Sequence, residues 1–199
     1  MKFYKLISVF LYPNVIPTLG VMFYFLTVPV NFESKQKMGI LSLVFVVTYL
    51  FPLLISFIFK KIKLIDSYRI ESIRQRKLPI ALMFGVFYLL GNTISYIPNF
   101  HDLALLFFST SLGLIIIYFL FYFKIKASIH LFSLGVFMGF FLVLSTVYQQ
   151  SFLIIIIAIL FLSGILANAR LQLKAHTTKE IYLGFFIGII APIIGSFVL

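Results

Sequence analysis

Long uncharged apolar stretches alternate with short polar ones along this chain. Seven stretches stand out: Ile7–Val30, Met38–Phe59, Pro79–Ile97, Leu103–Phe123, Ala127–Val147, Phe152–Ala167 and Ile181–Leu199. A helix needs roughly 20 apolar residues to cross a bilayer, and only the sixth stretch is clearly shorter. Strands of a membrane barrel would alternate apolar and polar positions, whereas Leu153–Leu162 is apolar throughout. Phe, Ile, Val and Tyr favour strands in water. In lipid, every backbone group must be satisfied within its own segment, which restores the helix. The pattern predicts an all-α, polytopic transmembrane helix bundle of about six to seven spans. The spans use most of residues 1–199, which leaves one integral membrane domain. The first stretch lacks a small-residue cleavage site and reads as a retained span. Pro13 and Pro17 are expected to kink or delay its helix.

Composition sharpens this picture. Hydrophobic residues make up 62% and charged residues 11%, against about 45–50% and 25% in soluble domains. A water-soluble globular domain and a disordered chain are both excluded. The absence of Cys removes disulfides, thiolate metal sites and cysteine nucleophiles. Three His and five acidic residues leave little for a metal cluster, so neither a metal nor a cofactor is expected.

The net charge of +11 is unevenly placed. Alternation of seven spans puts fourteen Lys and Arg on the side of the N-terminus, against Lys35 and Lys37 on the other. Basic loops stay inside, which predicts insertion in the inner (cytoplasmic) membrane with a cytoplasmic N-terminus. No basic helix interleaved with aromatics points to nucleic acid as a partner; the bilayer is the partner expected.

Most ionisable residues fall in three clusters: Asp66 to Pro79, Lys124 to His130, and Asn168 to Glu180. Two spans separate each cluster from the next, so all three reach one membrane face. Guanidinium groups bind phosphate with paired donors and stay charged. Two converging His could supply a nucleophile and a proton donor. Glu180 follows His176 by four residues, the helical spacing at which a carboxylate orients an imidazole.

These residues resemble the motifs of the type 2 phosphatidic acid phosphatase superfamily: K-x6-R-P, P-S-G-H and S-R-x5-H-x3-D. Arg170, His176 and Glu180 reproduce the third spacing, with Ala169 for Ser and Glu180 for Asp. Ser128-Ile129-His130 is similar to the second, with Ala127 for Pro and Ile129 for Gly. Arg69 and Arg76 are similar to the first, with Arg69 for Lys, Lys77 for Pro, and Pro79 two positions late. The motifs lie within residues 60–180, and the resemblance covers roughly residues 60–199. It implies a phosphatidic-acid-phosphatase-like core and a metal-independent lipid phosphate or diphosphate phosphatase with a phosphohistidine intermediate. His176 would be the nucleophile, held by Glu180. His130 would be the acid and base. Arg170, Arg76, Arg69, Ser128 and Lys77 would bind the phosphate, and a phosphorylated lipid would be the substrate. The family's site is usually described as periplasmic or lumenal, whereas the charge bias here points to the cytoplasm.

Plainer readings exist for the same residues. Arg69, Arg74, Arg76 and Lys77 suit a topogenic loop, Ser128 a helix cap, and Thr177 to Glu180 a capping box. His101 and Asp102 fall on the opposite face and read as a polar turn. The alternative function is a degenerate, non-catalytic relative that binds or moves a phosphorylated lipid, or a subunit of a membrane complex. An unrelated small transporter is a third.

Overall fold

The computed structural model describes residues 1–30, 32–66 and 72–198. All regular structure among these is helical: α1 (Lys2–Phe10), α2 (Ile16–Thr27), α3 (Ser34–Phe45), α4 (Phe51–Lys61), α5 (Ile73–Ser95), α6 (His101–Leu120), α7 (Ile129–Val147), α8 (Leu153–Gln172) and α9 (Thr178–Val198). A π turn, Val46–Leu50, fuses α3 and α4 into one rod of 28 residues. Among the described residues, that rod and α5 to α9 are the six helices long and apolar enough to cross a membrane. The chain is an integral membrane protein.

The first expected span is instead two short helices. The break falls at Leu11–Val15, with Pro13 inside it and Pro17 in the first turn of α2. Pro lacks the amide that a continuous helix needs and crowds the carbonyl four residues back. The carbonyl of Asn14 accepts from the Thr48 hydroxyl at 3.4 Å. Thr48 lies in the π turn, four residues before Pro52. A widened turn there relieves the clash that Pro52 would otherwise make.

α5 and α8 extend beyond their apolar runs into the clusters that carry Arg. α5 starts six residues before Pro79, with the Ser72 hydroxyl accepting from the Gln75 amide at 3.3 Å. α8 runs to Gln172, past Ala167. Arg74, Arg76, Lys77 and Arg170 therefore ride on helical turns, not in a loop.

α7 is the central helix and packs against α2, α6, α8 and α9. Its closest partner is α9. A Cβ added at Gly135 would lie 2.2 Å from the Phe185 carbonyl oxygen, and one at Gly188 would lie 2.3 Å from that of Phe132. Lipid is as apolar as Leu, so close packing of small residues is what drives such helix pairs together. Outward faces stay apolar, as at Ile154, Ile157 and Phe161 of α8.

Gly188→Ala should force α7 and α9 apart and cost about 1–3 kcal/mol, read as a lower melting temperature in detergent. Gly164→Ala, with nothing within 4 Å of the new methyl, should leave the melting temperature unchanged or slightly raised.

Candidate functional site

A chamber of about 640 Å³ opens at the end of the bundle where α5, α7 and α9 begin and α8 ends. Its lining includes Lys5, Ser8, Tyr12, Arg76, Lys126, His130, Arg170, Lys174 and His176. Among the described residues, no acidic side chain lines it.

Local turns deliver these groups. At the end of α8, the Lys174 amide donates to the Leu171 carbonyl at 2.9 Å and the Ala175 amide to the Arg170 carbonyl at 3.1 Å. This is a Schellman closure, and it needs a left-handed residue. Lys174 supplies it at φ 49°, where glycine is the usual choice. Lys63 and Lys124 take the same conformation after α4 and α6, at φ 59° and 58°. A Lys there costs more backbone strain than Gly but sets a positive charge at the negative end of the helix dipole. The turn at Lys174 reverses the chain so that His176 follows closely after Arg170.

α9 then starts with a capping box. The Glu180 amide donates to the Thr177 hydroxyl and the Thr177 amide to Glu180 Oε2, both at 3.3 Å. The same Oε2 meets His176 Nδ1 at 2.8 Å. A carboxylate only accepts, so Nδ1 carries the hydrogen and the lone pair stays on Nε2. The cap and the imidazole anchor are therefore one carboxylate. The His176 side chain is 3% exposed. Burial lowers its pKa from the usual 6.5 to about 4; the charges of Arg76 and Arg170 act in the same direction, and the Glu180 hydrogen bond opposes them. The imidazole is thus neutral at pH 7.

His130 stands in the first turn of α7. Its ring meets the edge of Tyr12 at 5.7 Å between centroids. Its Nε2 is buried and has no hydrogen-bond partner among the described residues. Arg170 Nη1 donates to the Ser8 hydroxyl at 2.7 Å. Arg76 reaches the same chamber from α5.

Two residues expected to bind phosphate are placed away from the chamber lining, and a third is not described. Ser128 is fully buried behind the chamber. Its amide donates to the Glu180 carbonyl at 2.9 Å, and its hydroxyl has no partner among the described residues. It holds the N-cap position of α7, yet its side chain makes no capping bond. Lys77 is exposed and does not line the chamber, because one residue of helix turns it about 100° from Arg76. Arg69 lies outside the described residues.

Other residues were not singled out from sequence. Ser8 and Tyr12 carry no motif, and Ser8 is 162 positions from Arg170. Lys126 and Lys174 stood in the clusters only as basic residues. At the opposite end of the bundle, Asp102 accepts from Tyr24 at 3.4 Å and from Tyr148, which closes the polar turn beside exposed His101.

Comparison with models of protein families, with curated proteins and with solved structures gives no match for this chain.

The ionisation of His176 has a signed consequence. Its folded pKa lies below its unfolded one, so the unfolded chain takes the proton first as pH falls. The stability held by the neutral ring is complete above about pH 6.5 and is lost as pH falls towards about 4. The melting-temperature advantage of wild type over His176→Gln should therefore shrink across that window. In nitrogen NMR titrations Glu180→Gln should lower the His176 pKa further, and Arg170→Met should raise it.

Proposed function

We propose that the protein is a membrane-embedded, metal-independent phosphatase of lipid phosphates or diphosphates that works through a phosphohistidine. The observation that carries this reading is one chamber lined by His176, His130, Arg76 and Arg170, with the nucleophile's ring already held by Glu180. The resemblance to the phosphatidic acid phosphatase motifs supports the assignment of roles.

In the proposed reaction, Arg170 and Arg76 hold the phosphoryl oxygens. The His176 Nε2 lone pair attacks phosphorus in line, and the bond from phosphorus to the lipid oxygen breaks. His130, which takes up a proton once the anionic phosphate is bound beside it, gives that proton to the lipid oxygen. Water then adds to the phosphohistidine, yields a proton to His130, and the P–N bond breaks to release inorganic phosphate. The acid is restored at the end of the cycle. Positioning and charge do most of the work in such transfers. The unpartnered Nε2 of His130 and the neutral state of His176 both suit these roles.

The end of the bundle that carries the chamber also carries Lys60, Lys61, Lys63, Lys124 and Lys174. By the positive-inside rule this end faces the cytoplasm, and the membrane is the inner one. The chain has no cysteine of its own. A single cysteine at Lys63 should then react with an impermeant maleimide in inverted vesicles and not in intact cells.

Purified protein in detergent should release phosphate from members of a lipid phosphate panel with no loss on adding chelator. His176→Ala should fall to background. His130→Ala should lose about 10²–10⁴-fold, and Glu180→Gln about 10²-fold or more. Radiolabelled substrate should leave an acid-labile, alkali-stable phosphoenzyme on wild type. Equal rates for wild type and His176→Ala would remove the nucleophile. No release by wild type from any substrate would favour a lipid-binding relative.

A further inference from the structure

A second cavity, of about 120 Å³, lies beneath the basic chamber among α2, α5, α6 and α7. The two meet at a seam, because Pro13, Asn14, Pro79, Ile80 and Ile129 line both. Below the seam the walls are almost wholly apolar, with Met83, Phe87, Leu114 and Phe137 among them. Two hydroxyls there are spent within their own helices: Thr110 donates to the Leu106 carbonyl at 2.8 Å, and Ser133 to that of His130 at 2.9 Å. Such a cavity offers water almost no partner and stays dry. Above the seam lie five cations (Lys5, Arg76, Lys126, Arg170 and Lys174) and the buried, unpartnered Nε2 of His130.

A basic chamber joined to a dry apolar cavity matches an amphiphile with an anionic head and a hydrocarbon chain. We infer that the cavity encloses the head-proximal part of one hydrocarbon chain of the molecule whose phosphate sits in the chamber. This rests on the reading of the chamber as a phosphate site. Size sets the occupant. An apolar cavity of about 150 Å³ holds one benzene, so this one takes a segment of one chain and not two side by side. Ile129 at the seam and Phe137 at the far wall are eight residues apart on α7, about 12 Å along the helix. The enclosed stretch is therefore short, and any remaining chain extends beyond it. Gly20 of α2 keeps the wall open: a Cβ there would already lie 3.1 Å from the Phe137 ring.

The chain-length dependence of binding tests this without turnover. The probes are n-alkyl phosphonates from ethyl to decyl, titrated calorimetrically into detergent-solubilised wild type, Gly20→Leu and Ser133→Leu. Affinity for wild type should rise about fourfold per added carbon and level off once the cavity is filled, by about five carbons at this volume. Both variants, filling the cavity from opposite walls, should lower the octyl-to-ethyl affinity ratio at least tenfold. A ratio near one in wild type, or the same ratio in all three proteins, overturns the inference. Phosphonates are not hydrolysed, so the climb with chain length in a protein that releases no phosphate keeps the cavity assignment and removes only the catalytic reading. Turnover without the climb does the reverse. Failure of every phosphonate to bind overturns both.

Discussion

The hydrogen bond from the Ser128 amide to the Glu180 carbonyl joins the first turns of α7 and α9. It forms because the two backbones approach so closely that a Cβ at Gly184 would lie 2.4 Å from the Ser128 carbonyl oxygen. Within lipid an unpaired amide at a helix start is costly, and here a neighbouring helix satisfies it. This contact fixes the positions of His130, two residues after Ser128, and of His176, four residues before Glu180. The geometry of the chamber follows from helix packing more than from any loop.

Charge is the second constraint. Five cationic side chains line the chamber and, among the described residues, no acidic one does, while Glu180 is committed to His176 and to the α9 cap. Like charges in a partly dry space repel. The negative end of α8 offsets part of that repulsion while the positive starts of α5, α7 and α9 add to it, and Ser8 holds one Arg170 nitrogen. An anion would offset more, so the arrangement favours an anionic ligand over a neutral one.

The spans were legible in the sequence because an uncharged apolar run of bilayer length has no stable place in water and satisfies its backbone in lipid only as a helix. The meeting of His130, His176, Arg170 and Arg76 at one end was legible because an even number of spans separates the clusters. Rotation and fine contacts were less so. Arg76 and Lys77 are equally basic, and only the direction each faces on α5 separates them. Ser128 was expected to touch phosphate, but the α9 backbone takes its amide and buries its hydroxyl. Pro13 and Pro17 marked a kink or a late start in the first span, but not that the helix would break into two, and the break supplies Tyr12, Pro13 and Asn14 to the chamber wall. Ser8 could not be tied to Arg170 by any pattern, since their contact exists only after α1 packs on α8.

The departures from the resembled motifs take on physical meaning in this fold. Position 129 carries Ile where the second motif carries Gly, and that residue lines both cavities. A glycine there would leave the boundary between the basic and the apolar space bare; Ile gives it a branched apolar wall. Position 127 carries Ala where the motif carries Pro, and Ala127 is almost fully buried just ahead of the α7 start. The preceding turn is instead closed by Lys124 in the left-handed conformation, with the Ile125 amide donating to the Leu120 carbonyl at 3.1 Å. The chain reversal that a proline would stiffen is thus made by a helix cap, and the same cap adds a cation to the face where the candidate site opens.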